Sequence, residues 1–265
     1  MKDILQEIVA NKQRELVGQK QRVSPSELYA QVERIMQGPD TQRSMSQALL
    51  RSDSGIIAEF KRRSPSKGWI KEDGKAEEIP LSYAQNGAAA LSVLTDEKFF
   101  GGCLKDLCLA RPLVPQTPIL RKDFIVDEYQ LFEARLAGAD AVLLIAADLT
   151  VTECRSLACT AHELGLETLL EIHSEQELDY ADCDCIDMVG VNNRNLGTFH
   201  TDVNNSFLLA QKLPPQKVLV SESGISNAST VRSLRDIGFR GFLIGEKFMK
   251  TQNPGQALAD FIAEL

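Results

Sequence analysis

No CxxC pair occurs among the six cysteines, and the three histidines, His162, His173 and His200, stand at no metal-ligand spacing. Cys183-Asp184-Cys185 alone is a weak metal signal. These two thiols, with Cys103, Cys108, Cys154 and Cys159, are expected to be buried or reduced, which suits a cytoplasmic chain. No Ser/His/Asp pattern stands out, and neither GxGxxG nor GxxxxGK[ST] is present. No apolar run reaches transmembrane length, so no membrane partner is expected. The start, MKDILQEIVANKQREL, is amphipathic and charged, unlike a signal peptide. Long basic runs are missing too, and the formal charge is −8, which argues against a nucleic-acid partner. A small anionic substrate stays open, because it needs only a local cluster of cations.

What the chain does have is order. Residues 1–17 read as a helix with Ile4, Leu5, Ile8 and Val9 on one stripe. Ser24-Pro25-Ser26-Glu27 reads as the start of a second, with Leu28, Val32, Ile35 and Met36 as its buried face, and a third fits 41–50. No strand pattern occurs in those fifty residues. Apolar, β-rich runs then recur at 55–60, 88–94, 117–121, 140–146, 167–172, 186–191, 217–221 and 240–244. Helical segments alternate with them near 75–86, 102–111, 127–137, 150–164, 174–181, 203–212, 227–237 and 254–264, and glycines such as Gly138 and Gly165 stand where a helix should end. Near-continuous apolar strands separated by helices call for a parallel sheet covered by helices. Eight such units predict an α/β fold: a (β/α)8 TIM barrel over 51–265 with an N-terminal helical extension over 1–50, together one domain. An open doubly wound sheet is the alternative, and the missing glycine fingerprints leave it unsupported.

In such a barrel the chemistry gathers at the C-terminal ends of the strands. There the sequence turns polar. Strand 1 ends in Glu59 and Lys61, strand 3 in Arg121-Lys122-Asp123, strand 5 in Glu171, strand 6 in Asn192-Asn193-Arg194 and strand 7 in Glu222-Ser223-Gly224. Each alone is ambiguous between a site residue and a surface pair or solvated strand cap. Side chains of one interior layer come from alternate strands, so Glu59 or Lys61, Lys122, Glu171 and Glu222 are expected to share the top of the barrel. Lysines beside glutamates in a partly shielded site perturb one another and suit acid–base work. Gly224 and Gly245, just past strands 7 and 8, bring backbone N–H groups where phosphate commonly binds, with Leu243 and Glu246 alongside and Lys61 and Ser64 arriving from the strand 1 loop. Phe99 and Phe100, after strand 2, offer an apolar wall for an aromatic ligand.

The motifs IIAEFKRRSPSKG, LSVLTDEKFFGG, ILRKDFIVDEYQ, LLEIHSEQEL, GVNNRNLGTF, VSESGIS and FLIGEKFM, in this order, resemble the indole-3-glycerol phosphate synthase family of the tryptophan pathway. The resemblance implies closure, decarboxylation and dehydration of 1-(2-carboxyphenylamino)-1-deoxyribulose 5-phosphate, with no metal and no organic cofactor. By position, Lys122 matches the family's general acid, Lys61 a lysine near the substrate carboxylate that also acts in dehydration, and Glu171 the general base. Glu59 and Asn192 match positioning partners, Glu222 and Ser223 substrate-positioning residues, and Arg194 a mouth residue on the anthranilate side. The resemblance also implies a monomer, open to weak association with other enzymes of the pathway, and a single-function chain where some relatives carry a fused phosphoribosylanthranilate isomerase domain. Pro80 inside the first barrel helix departs from the family's usual run. Two other readings stand beside this one. A phosphoribosylanthranilate isomerase-like barrel would show an Asp/Cys pair and need no helical prefix. A non-catalytic phosphate-ligand barrel would have lost the strand-end lysines or glutamates.

Overall fold

The computed structural model describes residues 4–39, 42–195 and 197–265. Residues 1–3 of the first expected helix, residue 41 of the third and Leu196 of the GVNNRNLGTF motif lie outside the described residues.

Eight parallel strands close a barrel: β1 (Ile56–Phe60), β2 (Ala90–Leu94), β3 (Ile119–Lys122), β4 (Ala141–Ile145), β5 (Glu167–Ile172), β6 (Met188–Asn192), β7 (Val218–Glu222) and β8 (Phe239–Ile244). Sequential strands are neighbours, and β1 seals the ring against β8 with Ile57 level with Leu243. The helices are α1 (Ile4–Arg22), α2 (Pro25–Met36), α3 (Met45–Arg51), α4 (Ile79–Gln85), α5 (Glu97–Phe100), α6 (Leu104–Ala110), α7 (Tyr129–Ala137), α8 (Val151–Glu163), α9 (Asn204–Leu209), α10 (Ala228–Asp236), α11 (Glu246–Met249) and α12 (Pro254–Ala263).

The barrel and its helical coat follow from strand periodicity. In β1, Ile56, Ala58 and Phe60 join the core between sheet and helices, while Ile57 joins a second core inside the barrel with Leu120, Leu169, Val220 and Leu243. Successive strand side chains face opposite ways, so both faces of every strand must be apolar for the sheet to be buried on both sides. Local signals set the helix ends. Ser24 accepts a hydrogen bond from Glu27 N at 3.3 Å and Pro25 opens α2. Thr150 and Glu153 exchange hydrogen bonds across the first turn of α8. Gly138 ends α7 with φ of 87°, a left-handed value that costs a glycine little.

Several expectations are corrected in detail. Pro80 does not interrupt a helix over 75–86; it lies in the first turn of the shorter α4, where its missing N–H costs nothing. The segment expected as a helix over 174–181 is a 3-10 helix, Glu175–Ala181. Strand 3 runs to Lys122, one residue further than the sequence pattern suggests. A two-residue antiparallel ladder, Arg63–Ser64 against Gly68–Trp69, follows β1 and had no sequence signal.

The three helices of the extension lie against three parts of the barrel. At the bottom, Met45 and Leu49 of α3 enter the interior core. On the flank, α2 packs on α7, with the Tyr29 and Phe132 rings stacked at 3.9 Å between centroids. At the top, α1 brings Ile4, Leu5 and Ile8 to the mouth. One residue of the α1 stripe is charged. Lys12 is buried and bridges Asp96 at 3.1 Å and Asp123 at 3.0 Å, carboxylates from the segments after β2 and β3.

Candidate active site

The alternation that builds the interior core also delivers the site. Two residues beyond Ile57 on β1 is Glu59. Beyond Leu120 on β3 is Lys122, beyond Leu169 on β5 is Glu171, and beyond Val220 on β7 is Glu222. Residues i and i+2 share a face, so each odd strand carries an apolar side chain below and a charged one above.

The charged layer is tightly paired. Lys122 Nζ stands 2.7 Å from Glu222 Oε2 and 3.4 Å from Glu171 Oε2. Glu171 Oε1 accepts from Asn192 Nδ2 at 3.0 Å and faces His173 Nε2 at 3.2 Å. Lys61 forms an ion pair with Glu59. Two glycines give these carboxylates room. A Cβ on Gly190 of β6 would overlap Glu222 Oε1, and a Cβ on Gly245 after β8 would overlap Glu59 Oε1.

Burial disfavours every charge here, and the partners decide the outcome. Burial pulls the Lys122 ammonium down, but Glu222, Glu171 and Glu59 together raise it above its ordinary range, so it is held charged. Burial also works against the Glu171 carboxylate, yet Lys122 and the hydrogen bond from His173 hold it well below the usual carboxylate range. Glu222 goes the other way. Its burial and the Glu171 charge outweigh Lys122 and push it up to about 7. The two carboxylates flank one lysine and titrate as a linked pair, with Glu171 pulled down and Glu222 pushed up.

Above this layer opens a cavity of about 180 Å³. Its floor holds Glu59, Lys61, Lys122, Glu171, Asn192 and Glu222. One side is apolar, with Leu5, Ile8, Phe100 and Phe124, the two phenylalanine rings 5.9 Å apart. Ser223 and Gly224 after β7, and Leu243, Gly245 and Glu246 at the end of β8, line the cavity as well. Arg194 reaches across the mouth, donating to Ser66 Oγ at 2.9 Å and Thr201 Oγ1 at 3.3 Å, and so ties the β6 loop to the β1 loop.

Of the strand-end residues, Arg121 and Asn193 turn away from the cavity to Gln130 and Ser221; of the other candidate site residues, all but two line it. Ser64 is buried in the small ladder after β1, and Pro65 stands in the wall instead. Phe99 packs under the Lys98 ammonium, 4.9 Å from its ring centroid, and only Phe100 reaches the cavity.

The family model for indole-3-glycerol phosphate synthase matches residues 5–261 of this chain. The chain belongs to that family. A relative in Bacteroides thetaiotaomicron named indole-3-glycerol phosphate synthase is 62% identical over 262 residues, covering 99% of this chain and 98% of the relative. One in Acidithiobacillus ferrooxidans, of the same name, is 43% identical over 258 residues, covering 97% and 98%. The family's barrel is also like more distant solved structures. A 3-hexulose-6-phosphate synthase aligns with TM-score 0.63 at 12% identity, over 80% of this chain and 99% of that one. The tryptophan synthase complex of Pyrococcus furiosus contains a chain that aligns with TM-score 0.59 at 16% identity, over 81% and 98%. At such identities the likeness is one of fold alone.

The sequence showed no metal-ligand spacing at His173 and gave no other reason to weigh it, although it continues the alternation Leu169, Glu171, His173 and stands beside the Glu171 carboxylate. Sequence reasoning missed Phe124, which lies one residue past the strand-end cluster. It also missed Lys12, because a lysine on an amphipathic helix ordinarily marks the solvent face.

Proposed function

We propose that the chain converts 1-(2-carboxyphenylamino)-1-deoxyribulose 5-phosphate to indole-3-glycerol phosphate in tryptophan biosynthesis, as a carboxy-lyase. The family membership supports the reaction. The observation that carries the mechanism is the Lys122 ammonium fixed between Glu171 and Glu222 at the floor of the cavity.

In this reading the aryl carbon bearing the carboxylate attacks the ribulose carbonyl carbon, and Lys122 gives a proton to the carbonyl oxygen. Carbon dioxide then leaves, and its bonding pair restores the aromatic ring. The new hydroxyl departs as water with a proton from Lys61, while Glu171 takes the proton from the adjacent ring carbon. Asn192 and Glu59 hold Glu171 and Lys61 in place, as their contacts suggest. The pairing of Lys122 with Glu171 couples the two halves. Once Lys122 has given up its proton, the charge that depresses Glu171 is gone, and the carboxylate becomes a stronger base for the step that follows.

The aryl ring lies in this reading against Phe100, Phe124, Leu5 and Ile8, with Arg194 at the mouth beside the anthranilate end. Glu222 and Ser223 position the sugar. The phosphate takes the backbone around Gly224 and Gly245 with Lys61 as its cation, Leu243 and Glu246 lying alongside. Ser64 and Phe99 have no part in it, since neither is in the wall. The reading extends to a cytoplasmic location, for which the free cysteines are the support, and to a monomer, which the family resemblance implies. Among the described residues no helix is long and apolar enough to cross a membrane. Mixing the purified chain with the anilino-deoxyribulose phosphate should give rise to indole fluorescence; unchanged substrate would sink the reading.

A further inference from the structure

Three thiols meet at the end of the barrel remote from the cavity. Cys159 lies in the second half of α8, and Cys183 and Cys185 lie in the loop between the 3-10 helix and β6. Their Sγ atoms all fall within 4.8 Å of one another, with Cys159 Sγ 2.8 Å from Cys185 Sγ. The cavity opens beyond the C-terminal ends of the strands, whereas this loop enters β6 at its N-terminal end.

The backbone that carries two of the thiols is fixed from outside the cluster. Lys217 Nζ donates to Cys183 O at 2.9 Å and to Ile186 O at 2.5 Å. Thr168 Oγ1, on β5, donates to Cys185 O at 2.6 Å. Cys183 O also accepts from Ile186 N at 3.1 Å, which closes the turn between them. The backbone of the two loop thiols is therefore held before any ligand arrives, and only side-chain rotation is left to complete the site.

Apolar filling is the usual work of a free cysteine, and Cys154, fully buried in the core one helical turn and a half from Cys159, does that work. The three convergent thiols differ. All are only half-buried, and they come from two separate segments. A disulfide would use two of them and leave the third without a purpose. A soft cation uses all three.

We propose that Cys159, Cys183 and Cys185 form a trithiolate site for a thiophilic cation of the zinc(II) class, with a fourth position open to water. Zinc–sulfur bonds of about 2.3 Å set tetrahedral sulfurs roughly 3.8 Å apart, so Cys159 and Cys185 open by about 1 Å through side-chain rotation. Each ligating thiol gives its proton to solvent. The ion staples α8 to the loop before β6 at the face of the barrel that serves stability, not catalysis.

The test is a titration of the reduced, chelator-treated full chain with cobalt(II), a coloured stand-in for zinc. Thiolate-to-cobalt charge-transfer absorption should saturate at one equivalent, zinc should displace it, and zinc should raise the midpoint of thermal unfolding. Cys159→Ser and Cys183→Ser should each abolish the band, while Cys108→Ser, exposed on α6, should keep it. Turnover of Cys159→Ser should equal that of the unsubstituted chain. Absence of the band, or a band that survives Cys159→Ser, overturns the proposal. So does a thiol count on the unreduced chain that shows a Cys159–Cys185 disulfide in place of two ligands.

Discussion

The carboxylate of Glu59 fills the space in which a side chain on residue 245 would begin. A Cβ on Gly245 would overlap Glu59 Oε1 and stand 2.9 Å from Glu59 Cβ. The glycine after β8 is thus required by a charged group on β1, whatever its backbone does for phosphate. Gly245→Ala should displace Glu59, loosen its pair with Lys61 and cost about 1–3 kcal/mol of stability, as overpacking does. Turnover should fall with it, and inorganic phosphate should lose more affinity than an anthranilate-like fragment. Thermal unfolding and ligand titration check this; a variant with unchanged stability and turnover would show that Glu59 moves freely.

Gly224 gives a different expectation. It takes φ of 78°, and a Cβ there would come 2.7 Å from Thr201 Cγ2, so Gly224→Ala must shift the turn after β7. Inorganic phosphate and product should weaken by about 2–3 kcal/mol, the worth of charge-assisted hydrogen bonds, while an anthranilate-like fragment binds as before. Equal losses in calorimetry would place the phosphate elsewhere.

Glu222 sets a pH signature. Its folded value of about 7 lies above the ordinary 4.5. Between those values the folded chain holds more protons than the unfolded one, so the Glu222 contribution is fully present below the window and is lost as pH rises through it. Glu171 is shifted the opposite way, so its contribution is present above the ordinary carboxylate range and is lost only in stronger acid. Glu222→Gln should flatten the decline in urea-unfolding free energy between about pH 4.5 and about pH 7. The same slope in both proteins would mean that Glu222 is an ordinary carboxylate.

Lys12 ties the extension to the mouth. Lys12→Met leaves Asp96 and Asp123 buried without that cation and should cost about 3–5 kcal/mol, as loss of one member of a buried pair does. Lys20→Met, which breaks the more exposed pair with Asp127, should cost under about 1 kcal/mol. Because Leu5 and Ile8 of the same helix line the cavity, Lys12→Met should also raise KM. Matching stabilities and KM values for the two variants would detach α1 from the site.

How much of this was legible depends on period. The strand-end residues Glu59, Lys122, Glu171 and Glu222 could be read because each continues a two-residue alternation from an apolar neighbour, and the barrel brings alternate strands into one layer. Off the strands that rule fails. Ser64 and Phe99 were each one residue away from a side chain that does line the cavity, Pro65 and Phe100, because a hairpin and a short helix follow no strand period. Lys12 was illegible, and Cys183 with Cys185 gave only a weak signal, for another reason. Their partners come from other elements, and only the closed fold brings Asp96, Asp123 and Cys159 into place.

The central claim is that Lys122 is the acid that starts ring closure. A single-turnover experiment with Lys122→Met tests it most directly, with substrate in the cavity and indole fluorescence as the readout. The account predicts that the variant still binds substrate and forms product about 10²–10⁴-fold more slowly than the unsubstituted chain. Product formation within a few-fold of the unsubstituted rate would contradict it.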